Sequence, residues 1–457
     1  MNFLYSDDVI IACSTSLNGN AAIGVIRISG FKSLSDFKDF FTLKLSGPIE
    51  PRKVYFTNLV LQGQKIDEVC LTFFQAPHSY NGENVLELSV HGNTLNIERI
   101  LALFLNTGLC RMAGPGEFTY RAVKNRKLSL SQVEGLDLLL NATSGFALDQ
   151  GLSLLNGGLF ELYKDLYHLF LLHKASLELM IDFSDDVGEE AARTSFDTTL
   201  SNFSTKFKTL LKRVRPISYD LLEPEIVLIG LPNSGKSSLF NYLLSEDRAI
   251  VSPLAGTTRD YISESLVIEG VKFKLIDTAG IRKSKDLIEE EGISRSKERI
   301  AKSFFKILLI NPLELGPELK DLIHLNPDLI LFTHQDLPGF DSSKANLVAL
   351  YPELGSIGAV SLIEFSTSFE SHIESQVISK FRELVSDKPL LLSRHKQLIL
   401  KADGQLSSYL CHASQETDVA ILSHELNSLG HCFSELLGIV SPEDVLNSIF
   451  SNFCIGK

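Results

Sequence analysis

The segment Gly230-Leu231-Pro232-Asn233-Ser234-Gly235-Lys236-Ser237-Ser238 holds two glycines, a lysine and several hydroxyls in the spacing G-x-x-x-x-G-K-S. Glycines so placed let successive backbone N–H groups turn inward around a phosphate, and a helix starting after them adds its positive end. Lys236 can then reach the outer phosphates, and the Ser237 hydroxyl suits magnesium. Farther on, Lys272 to Ile276 reads as a buried strand that ends in Asp277-Thr278-Ala279-Gly280. An aspartate there can fix a magnesium-bound water, and the Gly280 N–H can approach a terminal phosphate closely. Between them lies Ser252-Pro253-Leu254-Ala255-Gly256-Thr257-Thr258-Arg259-Asp260, a loop whose Thr258 is suited to complete the magnesium shell. Together the three segments point to phosphoryl transfer from a magnesium-bound nucleoside triphosphate.

Such a loop needs a strand before it and a helix behind it. Ile226 to Ile229, bounded by Glu225 and Gly230, reads as a buried strand, and a helix is expected from Lys236. Upstream, Asp8 to Gly30 gives two β-rich runs around a Ser/Asn/Gly cluster. Further strand-like runs lie at Lys53 to Leu61, Glu68 to Phe74 and Asn84 to Val90, with helical spacing after Thr94. A compact α+β domain ending near Asn125 is expected. Helical stripes then follow, first Leu152, Leu155, Leu159, Leu162, Leu166 and Leu169, then Phe196, Leu200, Phe203, Phe207, Leu210 and Val214. A third, Leu422, Leu426, Leu429, Phe433 and Leu436, comes after the nucleotide segments. Each apolar face needs a cover, and the two helical regions are expected to cover each other. The nucleotide domain is then an insertion in a helical bundle, with Pro216 and Pro389 near the crossings. The implied boundaries are 1–125, 126–217, 218–386 and 387–457.

The chain's 457 residues, 44% hydrophobic and 22% charged, suit a soluble protein of about three domains. A net charge of −13 argues against a basic coat for nucleic acid and leaves room only for a local basic patch. Six cysteines without C-x-x-C spacing indicate neither a zinc site nor a disulfide scaffold, so a cytoplasmic setting is expected. No apolar run reaches the length of a membrane span, and Met1 to Gly30 lacks the pattern of an export signal.

The combination G-x-x-x-x-G-K-S, G-T-T-R-D and D-T-A-G resembles the translation-factor-like GTPases. Their guanine-reading N-K-x-D is replaced here by Thr333-His334-Gln335-Asp336, after the apolar run Leu329 to Phe332. Asp336 can pair with the guanine amino and ring N–H groups. His334 can lie against the base, whereas Thr333 is shorter than the usual Asn. Ser361-Leu362-Ile363 stands where S-A is expected.

The resemblance extends further. Gly24-Val25-Ile26-Arg27-Ile28-Ser29-Gly30, Pro115-Gly116-Glu117-Phe118-Thr119 through Lys127-Leu128, and the ending Phe453-Cys454-Ile455-Gly456-Lys457 are similar to the tRNA modification GTPase family MnmE (TrmE). That resemblance implies a multidomain α/β protein. Its parts would be an N-terminal α+β folate-binding and dimerising domain, a discontinuous all-α bundle, and an inserted Ras-like P-loop GTPase domain. It implies a homodimer that works with the flavoprotein MnmG, as a heterotetramer, on the wobble uridine of certain tRNAs. The added aminomethyl or carboxymethylaminomethyl carbon would come from 5-formyl- or 5,10-methylene-tetrahydrofolate. Folate contacts carry over to Arg27, Glu87, Lys127 and Lys457, whose charges suit glutamyl carboxylates and a pterin edge. Cys454 is a candidate nucleophile by position. Ile281 follows D-T-A-G and cannot orient water. In the family a glutamate farther along does so, and Glu289 takes that place, with Glu290 and Glu291 as neighbouring registers. Lys236 and Asn233 complete the implied catalytic set. The positive charge at the transition state would be potassium, held by Asn233 and by Ser252, Leu254 and Thr257. Two other classes of function fit parts of the chain: a ribosome-assembly GTPase switch, or a folate-binding module with a weakened GTPase.

Overall fold

In the computed structural model the described residues are 7–15, 19, 21–43, 49–182, 188–214, 224–244, 262–277, 300, 303–354, 367–385, 389–414, 419–439, 446, 449, 450, 453 and 456. The chain divides into two compact units. One comprises Met1–Asp137, Leu154–Thr205 and Gln397–Lys457, and the other Leu138–Ser153 and Lys206–Lys396.

The first unit begins with β1 (Ile10–Cys13), β2 (Ile23–Ser29), β3 (Val54–Leu61), β4 (Gln64–Phe74), β5 (Val85–His91), α1 (Thr94–Leu105), β6 (Arg111–Met112) and α2 (Glu117–Lys124). The strands form a mostly antiparallel sheet in the order β3-β4-β5-β2-β1-β6. Alternation decides its faces. On β5, Leu86, Leu88 and Val90 are buried in the core that includes Ile97, Ile100 and Phe104 of α1, whereas Glu87, Ser89 and His91 lie on the opposite face.

Four helices follow: α3 (Leu130–Leu140), α4 (Gly145–Leu155), α5 (Gly158–Asp182) and α6 (Glu189–Leu211). The expected stripe from Leu152 to Leu169 is not one face. Gly157, at φ 85°, ends α4 in a left-handed turn and puts α5 out of phase with it. Leu152 is therefore 41% exposed, and the buried face of α5 runs through Leu159, Tyr163, Leu166, Phe170 and Leu177. Phe196, Phe203, Phe207 and Leu210 of α6 are buried as their spacing predicts.

The second unit contains β7 (Glu225–Gly230), α7 (Lys236–Leu243), β8 (Ile262–Ile268), β9 (Val271–Asp277), β10 (Phe305–Ile310), α8 (Leu319–Ile323), β11 (Leu329–Phe332), α9 (Phe340–Leu350) and α10 (Thr367–Leu384). Its sheet has the order β11-β10-β7-β9-β8, parallel except for β8. Ile226 and Leu228 face one core and Val227 and Ile229 another. Both faces being covered, β7 is continuously apolar rather than alternating.

Last come α11 (Ser393–Ser414) and α12 (Val419–Leu437). Within the first unit, Phe433 of α12 lies 5.5 Å from Phe170 and 5.6 Å from Phe203, ring centre to ring centre, so the C-terminal helices do cover the earlier ones. A polar cluster is sealed among them: fully buried His173 meets the Tyr409 hydroxyl at 2.7 Å and Thr199 Oγ1 at 3.1 Å. Burial pushes this imidazole down to about 4, because no counter-charge offsets the cost of a buried cation.

Candidate functional site

In the second unit the site grows from the strand order. The chain leaves β7 for β9 on one side and β10 and β11 on the other, so β7 stands at the switch point where an open α/β sheet leaves a crevice beyond its strand ends. Register brings the motifs together there. Gly230 pairs with Leu309 of β10, Phe332 with Ile310, and Asp277 with Leu228, so all three motifs leave the carboxyl ends of neighbouring strands.

The loop from β7 to α7 is set by backbone conformation. Asn233 and Gly235 take positive φ values of 57° and 88°, the left-handed turns that point successive N–H groups into one concavity. At Gly230 a Cβ would stand 2.5 Å from both the Leu309 carbonyl and Ser234 Oγ, so only glycine fits between strand and loop. Buried Lys236 donates from Nζ to the carbonyls of Gly230 at 3.0 Å and Leu231 at 2.6 Å. Its ammonium thus sits inside the loop, where an anion's phosphate oxygens could take over from the carbonyls. Ser237 Oγ donates to Asp277 Oδ2 at 2.9 Å. One hydroxyl and one buried carboxylate in hydrogen-bond reach form a hard oxygen pair that fits magnesium, directly or through water. Asn233 and Ser238 are exposed, which leaves the Asn233 amide free to reach outward.

At the end of β11, Thr333 is fully buried and its N–H donates to Ile310 O at 2.9 Å. Its Oγ1 lies 3.0 Å from His334 Nδ1, and His334 has a φ of 64°. Threonine therefore ties the histidine to the strand end, while Gln335 and Asp336 are exposed beyond it. The candidate residues Ser252, Pro253, Leu254, Ala255, Gly256, Thr257, Thr258, Thr278, Ala279, Gly280, Glu289, Ser361, Leu362, Ile363, Cys454 and Lys457 lie outside the described residues.

In the first unit, Arg27 and Glu87 are directly opposite on β2 and β5, bonded through Arg27 Nε to Glu87 Oε1 at 2.9 Å. The guanidinium carbon lies 5.6 Å from the Tyr80 ring centre and 5.7 Å from that of Phe118. Tyr80 in turn meets Thr119 through its hydroxyl at 2.8 Å. Lys127 is exposed, and its Cε lies 3.3 Å from where Gly82 would carry a Cβ. The same Tyr80–Gly82 loop thus touches both predicted cations. The chain end arrives at this sheet too: Ser14 Oγ donates to the Gly456 carbonyl at 3.0 Å, and Phe450 and Phe453 pack at Gly116. Ser14 follows β1, whose Ala12 pairs with Arg27, so Gly456 is tied to the end of the strand next to the one that carries Arg27. A paired charge flanked by two aromatic rings suits a flat, polar ligand with an acidic tail.

Sequence reasoning did not single out Tyr80 or the Ser14 tether, since no spacing links them to Arg27. Glu117 and Arg121 are a different matter. Glu117 is fully buried and accepts from Arg111 at 2.7 and 2.9 Å, from Arg121 at 2.9 Å and from the Gly114 N–H at 2.9 Å. Burial by itself would raise its carboxyl, but the bonds from Arg111, Gly114 and Arg121 outweigh that and hold it below the ordinary carboxylate value. The Pro115–Thr119 stretch is therefore in part a structural clamp for β6 and α2.

Comparison with known proteins agrees with both halves. Residues 9–127 match the family described as GTP-binding protein TrmE N-terminus, and residues 225–334 match the 50S ribosome-binding GTPase family. The tRNA modification GTPase MnmE of Aquifex aeolicus is 35% identical over 98% of this chain and 99% of that protein. The chain belongs to the tRNA modification GTPase MnmE family. Its relatives from Alkaliphilus metalliredigens, 33% identical over 99% of this chain and 100% of that protein, and Thermotoga maritima, 32% identical over 98% and 100%, carry the same name. Among solved structures, the G domain of the T. maritima FeoB iron transporter is 22% identical and covers 35% of this chain and 98% of that one, with a TM-score of 0.26. Among the described residues no helix is long and apolar enough to cross a membrane.

Proposed function

We propose that this chain hydrolyses GTP as part of the modification of a wobble uridine in tRNA. It would act as a homodimer with the flavoprotein MnmG in the cytoplasm and take one carbon from a tetrahydrofolate derivative. The observation that carries the reading is the coexistence of two sites in one chain: the Ser237–Asp277 pair under a phosphate loop, and the Arg27–Glu87 pair in the sheet to which the chain end is tied. An assembly switch has no use for the second, and a decayed GTPase would not keep the first.

Ser237 and Asp277 would hold magnesium, and the metal would neutralise charge on the phosphates. Lys236 would exchange the loop carbonyls for phosphate oxygens, so its positive charge is already inside the cradle when GTP arrives. Asp336 would select guanine, supported by a His334 that Thr333 fixes in place. Glu289 would orient water, and Asn233 with the loop Ser252 to Thr258 would hold potassium between paired domains. At the other site, Arg27 and Lys127, with Lys457, would bind the glutamyl carboxylates, Glu87 the pterin edge, and Tyr80 would flank the ring.

The test compares GTP turnover in potassium and in sodium, alongside binding of 5-formyl-tetrahydrofolate by calorimetry. Turnover much faster in potassium, lost in Asn233→Ala, together with folate binding lost in Arg27→Ala, is the expected result. Equal turnover in the two salts overturns the potassium mechanism, and absent folate binding returns the chain to the assembly-switch class.

A further inference from the structure

The net charge of −13 makes a concentration of cations conspicuous. Between Asp197 and Asp220 there is no acidic residue, and five basic ones fall within ten positions from Lys206 to Arg215. A second acid-free run from Lys388 to Ala402 carries Lys388, Arg394, Lys396 and Lys401. The fold joins them. At the end of α6, Arg213 NH2 donates to the Pro389 carbonyl at 2.6 Å, across 176 positions of sequence and just ahead of α11. Lys206, Lys208 and Lys212 are exposed, and their ammonium groups have no ion pair with an acidic side chain among the described residues. The apolar residues Phe203, Phe207 and Leu210 occupy the buried face of α6, so the lysines occupy its solvent face.

Helix-end electrostatics explain only part of this. Cations at the last turn of α6 complement its negative end, which accounts for Lys208 and Lys212. Arg394 and Lys396 stand half-buried in the first turn of α11, and Arg394 meets His395 Nε2 at 2.9 Å, so they border the lysine face and add positive charge beside it. The exposed lysines of α6, gathered on one face in a chain of net charge −13, point to an anionic partner.

We propose that the solvent face of α6 from Lys206 to Arg213, with the start of α11, docks the sugar-phosphate backbone of the tRNA. This rests on the reading that the chain acts on tRNA, and adds where the RNA sits. The contacts are to phosphates, so they position the RNA and carry no base choice. An acidic protein cannot hold RNA by diffuse charge, which is why the cations are concentrated in one place.

The experiment measures anisotropy of a labelled, unmodified tRNA transcript with the full-length protein across a series of potassium chloride concentrations. The combined Lys206→Ala, Lys208→Ala and Lys212→Ala variant should bind about tenfold more weakly near 0.1 M salt, with a log–log salt slope shallower by about two to three. The corresponding triple Lys→Arg variant should bind as the parent does. GTP turnover without RNA should be unchanged in both, which shows that they are folded. If the alanine variant keeps the parent's affinity and slope, the docking surface is wrong while the tRNA reading stands. If the unaltered protein does not bind the transcript, the tRNA reading falls and the surface with it.

Discussion

The phosphate loop and the Arg27–Glu87 site are built in opposite ways. The loop is one continuous segment, because its working parts are backbone N–H groups and successive residues supply them. The second site draws on Ser14, Arg27, Tyr80, Glu87, Phe118 and Gly456, residues up to 442 positions apart, and its working parts are side chains. A backbone device must be written contiguously and tolerates few substitutions, whereas a side-chain device can be scattered and leans on a scaffold such as the Glu117 clamp. Loss of one residue should therefore abolish chemistry in the first and either stability or affinity in the second.

The largest effect is expected at the loop. Lys236→Ala should lower GTP turnover by about a thousandfold, the scale of losing one charge-stabilising donor, with the melting temperature little changed because the lost bonds are to loop carbonyls. Turnover within tenfold of the parent would remove the contrast between the two regions. Next is Glu117→Gln, which leaves the buried Arg121 with only its longer pair to Glu83 at 3.2 Å and should cost about 3 kcal/mol of stability in urea titration, the low end for a broken buried pair. Because Glu117 titrates below its unfolded value of 4.5, its contribution is present above that pH and is lost as pH falls through the lower folded value. The variant should thus show a flatter acid limb than the parent. An unchanged limb would mean that the clamp is not what acid breaks.

His173 extends the test to the helical core. Its folded value of about 4 lies under the model-peptide 6.5, so the unfolded chain binds the extra proton first and stability should fall as pH drops from 6.5 toward 4. The loss is on the order of 3 kcal/mol, and His173→Gln should erase it. A parent protein equally stable at pH 7 and pH 4.5 would contradict this burial effect. The smallest change is expected for Glu87→Gln. Its partly buried pair with Arg27 is worth about 1 kcal/mol to stability, yet folate affinity should drop about tenfold, since hydrogen bonds to a charged group carry roughly that much. Stability loss exceeding the affinity loss would make this pair structural, like Glu117.

Some of this was legible in residue order. The strand before Gly230, the run Leu329 to Phe332 and the apolar faces of α6 and α12 appear in the structure where periodicity puts them, because burial selects apolar residues at fixed intervals along a helix or strand. The stripe from Leu152 to Leu169 failed for a local reason, since period alone does not register that Gly157 reverses the chain and resets the phase. Glu117 was visible only as part of a signature, and nothing in its neighbours announced that Arg111 and Arg121 would converge on it.

Sequence alone therefore determined the phosphate loop, the succession of strands and helices, and the family, all of which depend on local backbone geometry or contiguous pattern. Tertiary structure alone decided that Asp277 meets Ser237, that Tyr80 lies close to Arg27, that Gly456 is bonded to Ser14, and that Pro389 joins the basic end of α6. Contacts between residues far apart in the chain follow from strand order and helix packing, and those are set by burial of whole faces, which no short segment encodes.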